Sequence, residues 1–419
     1  MTPREIAKLD HELKEYLEGF VAGLGRPERR DALRLYMTGL LLDGERKSIA
    51  PMAGRLVDDE GKVEAMRQRL QQAVTIANWS DGAVLARLAS KLDAELPAIE
   101  AFVIDDTGFP KKGKHSVGVQ RQYSGTLGRV DNCQVAVSLH LAGEQGSAMV
   151  GFSLFLPESW VTDRVRRKRA GVPAEAQSAT KGELALAQLD AALAAGVRRH
   201  VVLADAGYGD STEFRDALAQ RGLRYVVAVN GEPVVWPPGS APRIMRKPRA
   251  TKGRPPTRYR DDEHPPVALK QLAPTLRFKC VSWREGSRGW QSGHFAAVRL
   301  RTAHRHTLRR PPGDEQWLLC QQTGDDNTSY KFWLSNLPPS TTISTLVRYA
   351  KLRWARRARL PGAQARARSR PFRGPHLARL SSPRNSMRRS SRISRPSQGA
   401  FSPAGPPAGR FRWSDERCR

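Results

Sequence analysis

The chain has 419 residues, with 70 Lys and Arg against 41 Asp and Glu, for a formal charge of +29. That length is enough for about two or three domains and a sizeable core. The sequence holds no apolar run of about 18 residues to cross a membrane and no apolar signal core near Met1. Its four widely spaced cysteines (Cys133, Cys280, Cys320, Cys418) form neither a disulfide framework nor a zinc pattern. The expected molecule is soluble and cytoplasmic.

The charge is unevenly placed. Residues 1–100 carry 15 basic and 17 acidic groups, residues 101–354 carry 38 and 22, and residues 355–419 carry 17 and 2, all 17 being Arg. The middle excess of +16 points to a polyanionic partner, nucleic acid above all. The tail needs a separate account.

Residues 1–97 read as a helical N-terminal domain. Apolar residues recur at three- and four-residue spacing over Glu12–Phe20, Arg29–Leu42 and Lys62–Ile76, and Ser80 caps a further helix, Ala83–Leu96. Near-neutral charge means that any contact of this domain with DNA ends comes from one face. At Ile99 the period changes. A strand, Ile99–Ile104, ends in Asp105-Asp106, and strand-like runs follow at Gln134–Leu141 and Ala148–Leu156. Then come a helix (Thr180–Ala195), a buried strand (His200–Ala204) ending at Asp205, a helix capped by Ser211 (Ser211–Arg221), and a strand (Arg224–Val229). This order predicts a mixed sheet covered by helices over 98–230, in the order of an RNase H-like core. Residues 231–335 read as a β-rich insertion with basic loops, including Arg243–Arg260. A last core helix, Thr342–Trp354, falls within 336–354.

The sharpest chemistry lies in the acids at strand ends. Asp105 and Asp106 close the first strand and Asp205 closes the fourth; in an open α/β sheet such positions line one crevice. Paired carboxylates there suit Mg²⁺, a hard cation, and two such ions serve phosphodiester chemistry. Acids at strand ends also simply cap turns, and spacing alone leaves both readings open.

The surroundings decide between them. VIDDTGFPKKGKHSVG (103–118), RQYSGTLGRVDNCQVAVSLHLA (121–142), LPESWVTD (156–163), LADAGYGD (203–210) and LVRYAKLRW (346–354) resemble the bacterial insertion-sequence transposases of the DDE type, in the branch with a β-rich insertion before the third acid. The resemblance implies an RNase H-like fold, Mg²⁺ dependence with a two-metal site, and cleavage and rejoining of double-stranded DNA at element ends. It also implies a nucleoid-associated place in the cytoplasm, with a homodimer among the expected assemblies. Carried over by position, Asp106 matches the first catalytic and metal-binding Asp, with Asp105 as the alternative, and Asp205 matches the second. Thr107 and Gly108 would shape the turn that presents the acid. Lys111, Lys112 and Lys114 form a basic loop suited to phosphate contact, though a solvated charge run reads the same way. Arg353 matches the family's Arg on the last helix and is expected to contact DNA. Tyr208 stacks on a base or packs; Tyr349 and Trp354 read as core. His304 and His306 share a strand face without a third ligand.

The family's third acid follows that Arg in an Arg-x₃-Glu-x₆-Lys arrangement. The matching positions hold Arg357 and Gln364, and no Glu occurs between Trp354 and Glu416. Arg, Ala, Ser, Pro and Gly supply 49 of the last 65 residues, a composition that GC-rich DNA gives out of frame. Shifted by one nucleotide, codons for 357–380 can read ERDYRELKQELGLDHFEGRTWRGF, which restores Glu at Arg357 and Lys at Gln364. A frameshift near codons 355–356, leaving a disordered, aberrant tail and an inactive enzyme, explains this. The competing reading is an authentic Arg/Ser-rich arm on a non-catalytic DNA-binding protein.

Overall fold

The computed structural model describes residues 2–76, 80–96, 98–125, 127–144, 146–173, 176–244, 259–285, 289–303, 312–324 and 329–358, the last five as backbone alone. Most of the loop 243–260, His304 and His306, the side chains of Trp354 and Arg357, and the tail 359–419 with Gln364 lie outside the described residues.

The helical part comprises α1 (Pro3–Val21), α2 (Pro27–Leu41), α3 (Ile49–Leu56), α4 (Val63–Gln71) and α5 (Asp81–Glu95). Helix α1 starts on a Thr2–Glu5 capping box, and Ser80 caps α5 as expected. The helix predicted over Lys62–Ile76 is interrupted: α4 gives way at Gln72 to a wider π-helical turn ending at Ile76. Val21, Leu24, Ala32, Leu33, Ala73 and Val74 form the small core of this part. Helix α5 serves two cores, since Val84 packs on that cluster while Ala89 and Leu92 pack into the sheet. Asp93 extends the join, taking bonds from Arg198 and from His200.

The sheet part runs β1 (Ile99–Pro110), β2 (Gln120–Ser124), β3 (Arg129–Gly143), β4 (Gly146–Leu154), α6 (Glu158–Thr162), α7 (Arg164–Ala170), α8 (Lys181–Ala194), β5 (Val201–Ala204), α9 (Ala206–Gly209), α10 (Thr212–Gln220) and β6 (Tyr225–Val229). It continues through β7 (Val234–Trp236), β8 (Arg243–Ile244), β9 (Tyr259–Arg260), β10 (Val267–Ala268), α11 (Leu269–Leu272), β11 (Lys279–Glu285), β12 (Gly289–Thr302), β13 (Gln316–Thr323) and β14 (Ser329–Ser335) to α12 (Ile343–Ala358).

Strand β1 is central. It pairs antiparallel with β3 and parallel with β5, and β5 pairs parallel with β6. This is the mixed, helix-flanked RNase H-like sheet anticipated from the sequence. Two features differ from expectation. First, β1 does not end at the acids: Asp105 pairs with Ser138 and Asp106 with Val137, and pairing continues to Pro110. A polar side chain does not stop a strand while its backbone still has a partner, and β3 is 15 residues long. Second, the inserted strands extend the same sheet. Strand β14 pairs with β6, giving the order β10-β7-β12-β13-β14-β6-β5-β1-β3-β2 in one 12-stranded sheet, with β11 on β12 and β4 on β3.

Because side chains alternate along a strand, the sheet has two faces. Phe102, Ile104, Val202 and Ala204 meet α8 and α10 through Ala185, Leu189, Phe214 and Leu218. Ala101, Val103 and Leu203 meet α12 through Leu346, Val347 and Ala350. Even-numbered positions of β1 thus face one helical layer, and odd-numbered positions face the other.

Candidate active site

The alternation separates the acidic doublet. Asp105, at an odd position, lies on the α12 side, and Arg353 Nη2 donates to its Oδ1 at 3.0 Å. The same Nη2 donates to Asp205 Oδ2, also at 3.0 Å. Asp205 follows directly on β5, whose Val202 and Leu203 pair with Phe102 and Val103 of β1, so Asp105, inside β1, lies level with the carboxyl end of the neighbouring parallel strand. Asp106 faces the other layer. There Lys181, at the start of α8, donates to Oδ2 at 2.5 Å, and the Tyr208 hydroxyl donates to Oδ1 at 2.5 Å. Arg353 therefore joins Asp105 and Asp205, while Asp106 has a separate pair of donors.

The electrostatics follow from this crowding. Burial raises the Asp205 carboxyl above the ordinary range, Arg353 opposes that shift, and Asp105 and Asp106 raise it further. Burial also raises the Tyr208 phenol, and the Asp106 charge adds to the effect, so the hydroxyl stays a donor. Tyr208 is 3% exposed and edges onto Phe214, so it packs, and its polar end is committed to Asp106.

Local backbone geometry presents these groups. Asp205 caps α9, accepting from Gly207 N at 3.1 Å. That short helix lies so close to β6 that a Cβ on Gly209 would stand 1.9 Å from the Ala228 carbonyl oxygen. Only glycine permits this approach, which gives the LADAGYGD stretch its second Gly a packing reason. Gly108 likewise lies against Ser124, where a Cβ would come within 2.1 Å of the hydroxyl.

Helix α12, which carries Arg353, is anchored by Lys351. Its Nζ donates to Gln321 Oε1 at 2.6 Å and lies 4.8 Å from the ring centre of Trp283 and 5.4 Å from those of Phe295 and Trp333. Burial, then repulsion from Lys331, lowers this ammonium to about 8. The surrounding rings favour the charged form, so the two influences act against each other. Tyr349 is partly buried against the same core, as expected.

Lys112 and Lys114 are exposed on the loop that follows β1, and Lys111 donates its backbone N–H to Asn132 O. Sequence reasoning missed Lys181 and Lys351. Lys181 had a weak signal, one position after the Thr180 cap of a helix bordering the sheet. Lys351 had none, because its rings come from three strands far away in the chain.

A hard divalent cation suits the donor set. Two carboxylates already turn toward one positive group, and burial first, then the charges of Asp105 and Asp106, raise Asp205 in a way that a bound dication would offset. Among the described residues no three His, Cys, Asp or Glu side chains cluster as a complete metal site. The position matching the family's third acid, Arg357, has no described side chain. No helix among the described residues is long and apolar enough to cross a membrane.

Comparison with known proteins agrees with the fold. Residues 19–290 match the family model described as DDE superfamily endonuclease. The match ends before β13, β14 and α12. A 232-residue stretch is 28% identical to the probable transposase for insertion sequence element IS701 of Microchaete diplosiphon, covering 54% of this chain and 56% of that protein. The chain thus spans little more than half the length of that relative.

Proposed function

The chain belongs to the DDE superfamily of endonucleases, and on that premise we propose that it is an insertion-sequence transposase, built for Mg²⁺-assisted cleavage and joining of double-stranded DNA. The observation that carries this reading is the convergence on Arg353 of Asp105, from within β1, and Asp205, at the carboxyl end of the parallel strand β5.

Asp105 and Asp205 would hold the cation, and Asp105 takes precedence over Asp106 as the first carboxylate. The reason is orientation: Asp105 shares a face with Asp205 and with α12, the helix on which the family's third acid belongs. Bound there, Mg²⁺ supplies activation of an attacking oxygen and stabilisation of a leaving one. Lys181 and Tyr208 hold the Asp106 carboxylate on the opposite face through their two hydrogen bonds. Arg353 bridges the two ligand carboxylates, and with a cation in its place its guanidinium would suit a DNA phosphate.

The finer reading concerns this particular copy. Its third acid is replaced by Arg357, at the point where the composition turns to Arg, Ser and Pro, and a frameshift near codons 355–356 accounts for both changes. The chain is then expected to bind DNA but not to complete cleavage and strand transfer. The test is the nucleotide sequence across codons 350–390 read in three frames, with a cleavage assay on element-end DNA. An open shifted frame encoding Glu and Lys supports the reading. Turnover by this chain that Asp205→Ala abolishes refutes inactivity. The runner-up, a non-catalytic DNA-binding protein with an authentic arm, rests on the same missing acid, and it requires salt-dependent DNA binding that survives Asp105→Ala and Asp205→Ala.

A further inference from the structure

We infer that α7 and the lysine loop 111–119 form a single tract that grips the DNA backbone beside the carboxylates. The inference rests on the DNA-acting reading above and gives it a surface.

The two segments are one built unit. Val117 and Val119 from the loop, Trp160 from α6, and Ala170 and Val172 at the end of α7 share a small buried core of their own. Arg166 holds them together. Its guanidinium stacks 3.7 Å from the centre of the Trp160 ring, and its Nη2 donates to Lys114 O at 3.0 Å and Val119 O at 3.1 Å. Trp160 Nε1 donates to the same Val119 carbonyl at 2.8 Å. Arg167 is used inward as well, donating to the carbonyls of Val161, Pro173 and Ala176.

With those two arginines serving the scaffold, Lys112, Lys114, Arg164, Lys168 and Arg169 remain exposed on its outer side. Among the described residues the acids near it include Glu158, Asp163 and Asp131; Asp163 is engaged in capping α7 through the Arg166 N–H at 2.8 Å, and Asp131 accepts from Arg129 at 2.9 Å. Five cations carried on a rigid platform complement a regular line of phosphates.

The position also fits. The loop begins where β1 ends, and Lys112 lies seven residues beyond Asp105, at most about 23 Å along an extended chain. That is within about seven charge spacings of one DNA strand.

The test is lysine acetylation footprinting of the full chain, with and without a short DNA duplex, read by mass spectrometry. The Arg-rich tail contains no Lys, so binding through it leaves this footprint unchanged. Lys112, Lys114 and Lys168 are expected to be protected several-fold, while Lys8 and Lys62 in the helical part react as before. Replacing all five exposed cations with Gln should reduce the slope of log affinity against log salt by about 0.9 for each phosphate that is no longer neutralised. If DNA is bound and these lysines stay fully reactive, the tract is refuted and the functional reading stands. If the intact chain binds no DNA at all, the functional reading falls and the tract falls with it.

Discussion

His200 Nε2 lies 2.6 Å from Asp93 Oδ1, with both side chains buried and 107 positions of chain between them. Arg198 adds a backbone N–H at 2.9 Å and a guanidinium to the same carboxylate. This cluster ties helix α5 to the strand that delivers Asp205. It makes the helical part a support for the site and explains why a border at residue 97 divides the sequence more cleanly than it divides the fold.

Burial alone would raise the Asp93 carboxyl, but the bonds from Arg198 and His200 outweigh it and hold the group at about 2. The folded value lies below the ordinary one, so the stabilisation is present above pH ~4 and is lost as pH falls toward 2. Asp93→Asn should destabilise the fold at neutral pH by about 2 kcal/mol, the scale of hydrogen bonds to a charged group. The difference from wild type should shrink in acid, as thermal melts at pH 7 and pH 3 would reveal. An equal loss at both would rule out the carboxylate's charge as the cause.

Gly209 gives a sharper steric prediction. A Cβ placed 1.9 Å from the Ala228 carbonyl oxygen meets backbone and cannot be relieved by a rotamer change. Gly209→Ala should cost about 3 kcal/mol, the upper part of the range for overpacking, measured by denaturant unfolding. Gly222→Ala, where φ is +67° but the space is open, should cost only about 1 kcal/mol.

Lys351 offers a test of how α12 is held. Burial first, and Lys331 second, bring its ammonium to about 8. Between about pH 8 and 10 the unfolded chain keeps a proton that the folded chain has released, so wild-type stability relative to Lys351→Met rises with pH across that window. Lys351→Ala, which also removes the stem packing, should destabilise by about 1–2 kcal/mol. Melting curves from pH 7 to 10 that run parallel for wild type and Lys351→Met would contradict the buried setting.

The two faces of β1 can be told apart with Mn²⁺ as a spectroscopic substitute for Mg²⁺. Asp105→Ala and Asp205→Ala should each weaken binding by at least about tenfold, the lower end seen even for groups that only support a ligand. Asp106→Ala should act less on affinity and more on the position of Lys181. A larger loss at Asp106 than at Asp105 would reverse the proposed assignment.

Local chemistry made much of this architecture readable in advance. The Ser80 and Ser211 caps, the buried strand before Asp205 and the helical period of α12 are evident in the sequence because each depends on residues within one turn or one pleat. Features set by distant partners were not. The extension of β1 beyond Ile104 depends on pairing with β3, the fusion of the insertion into the main sheet depends on β14 meeting β6, and the setting of Lys351 depends on rings from three strands. Helix α7 showed no apolar period because its buried work is done by arginine side chains and the single Ala170. Which acid of the doublet faces Asp205 is a matter of strand register, on which the motif itself is silent.

That last point gives the doublet a tolerance of its own. A one-residue slip of β1 would turn every side chain over, which at a site with a single acid would withdraw the carboxylate from its crevice altogether. With Asp at both 105 and 106, either register offers an acid to Asp205. After such a slip the second acid would stand where the first had been, whereas the hydrophobic neighbours of β1 have no such duplicate.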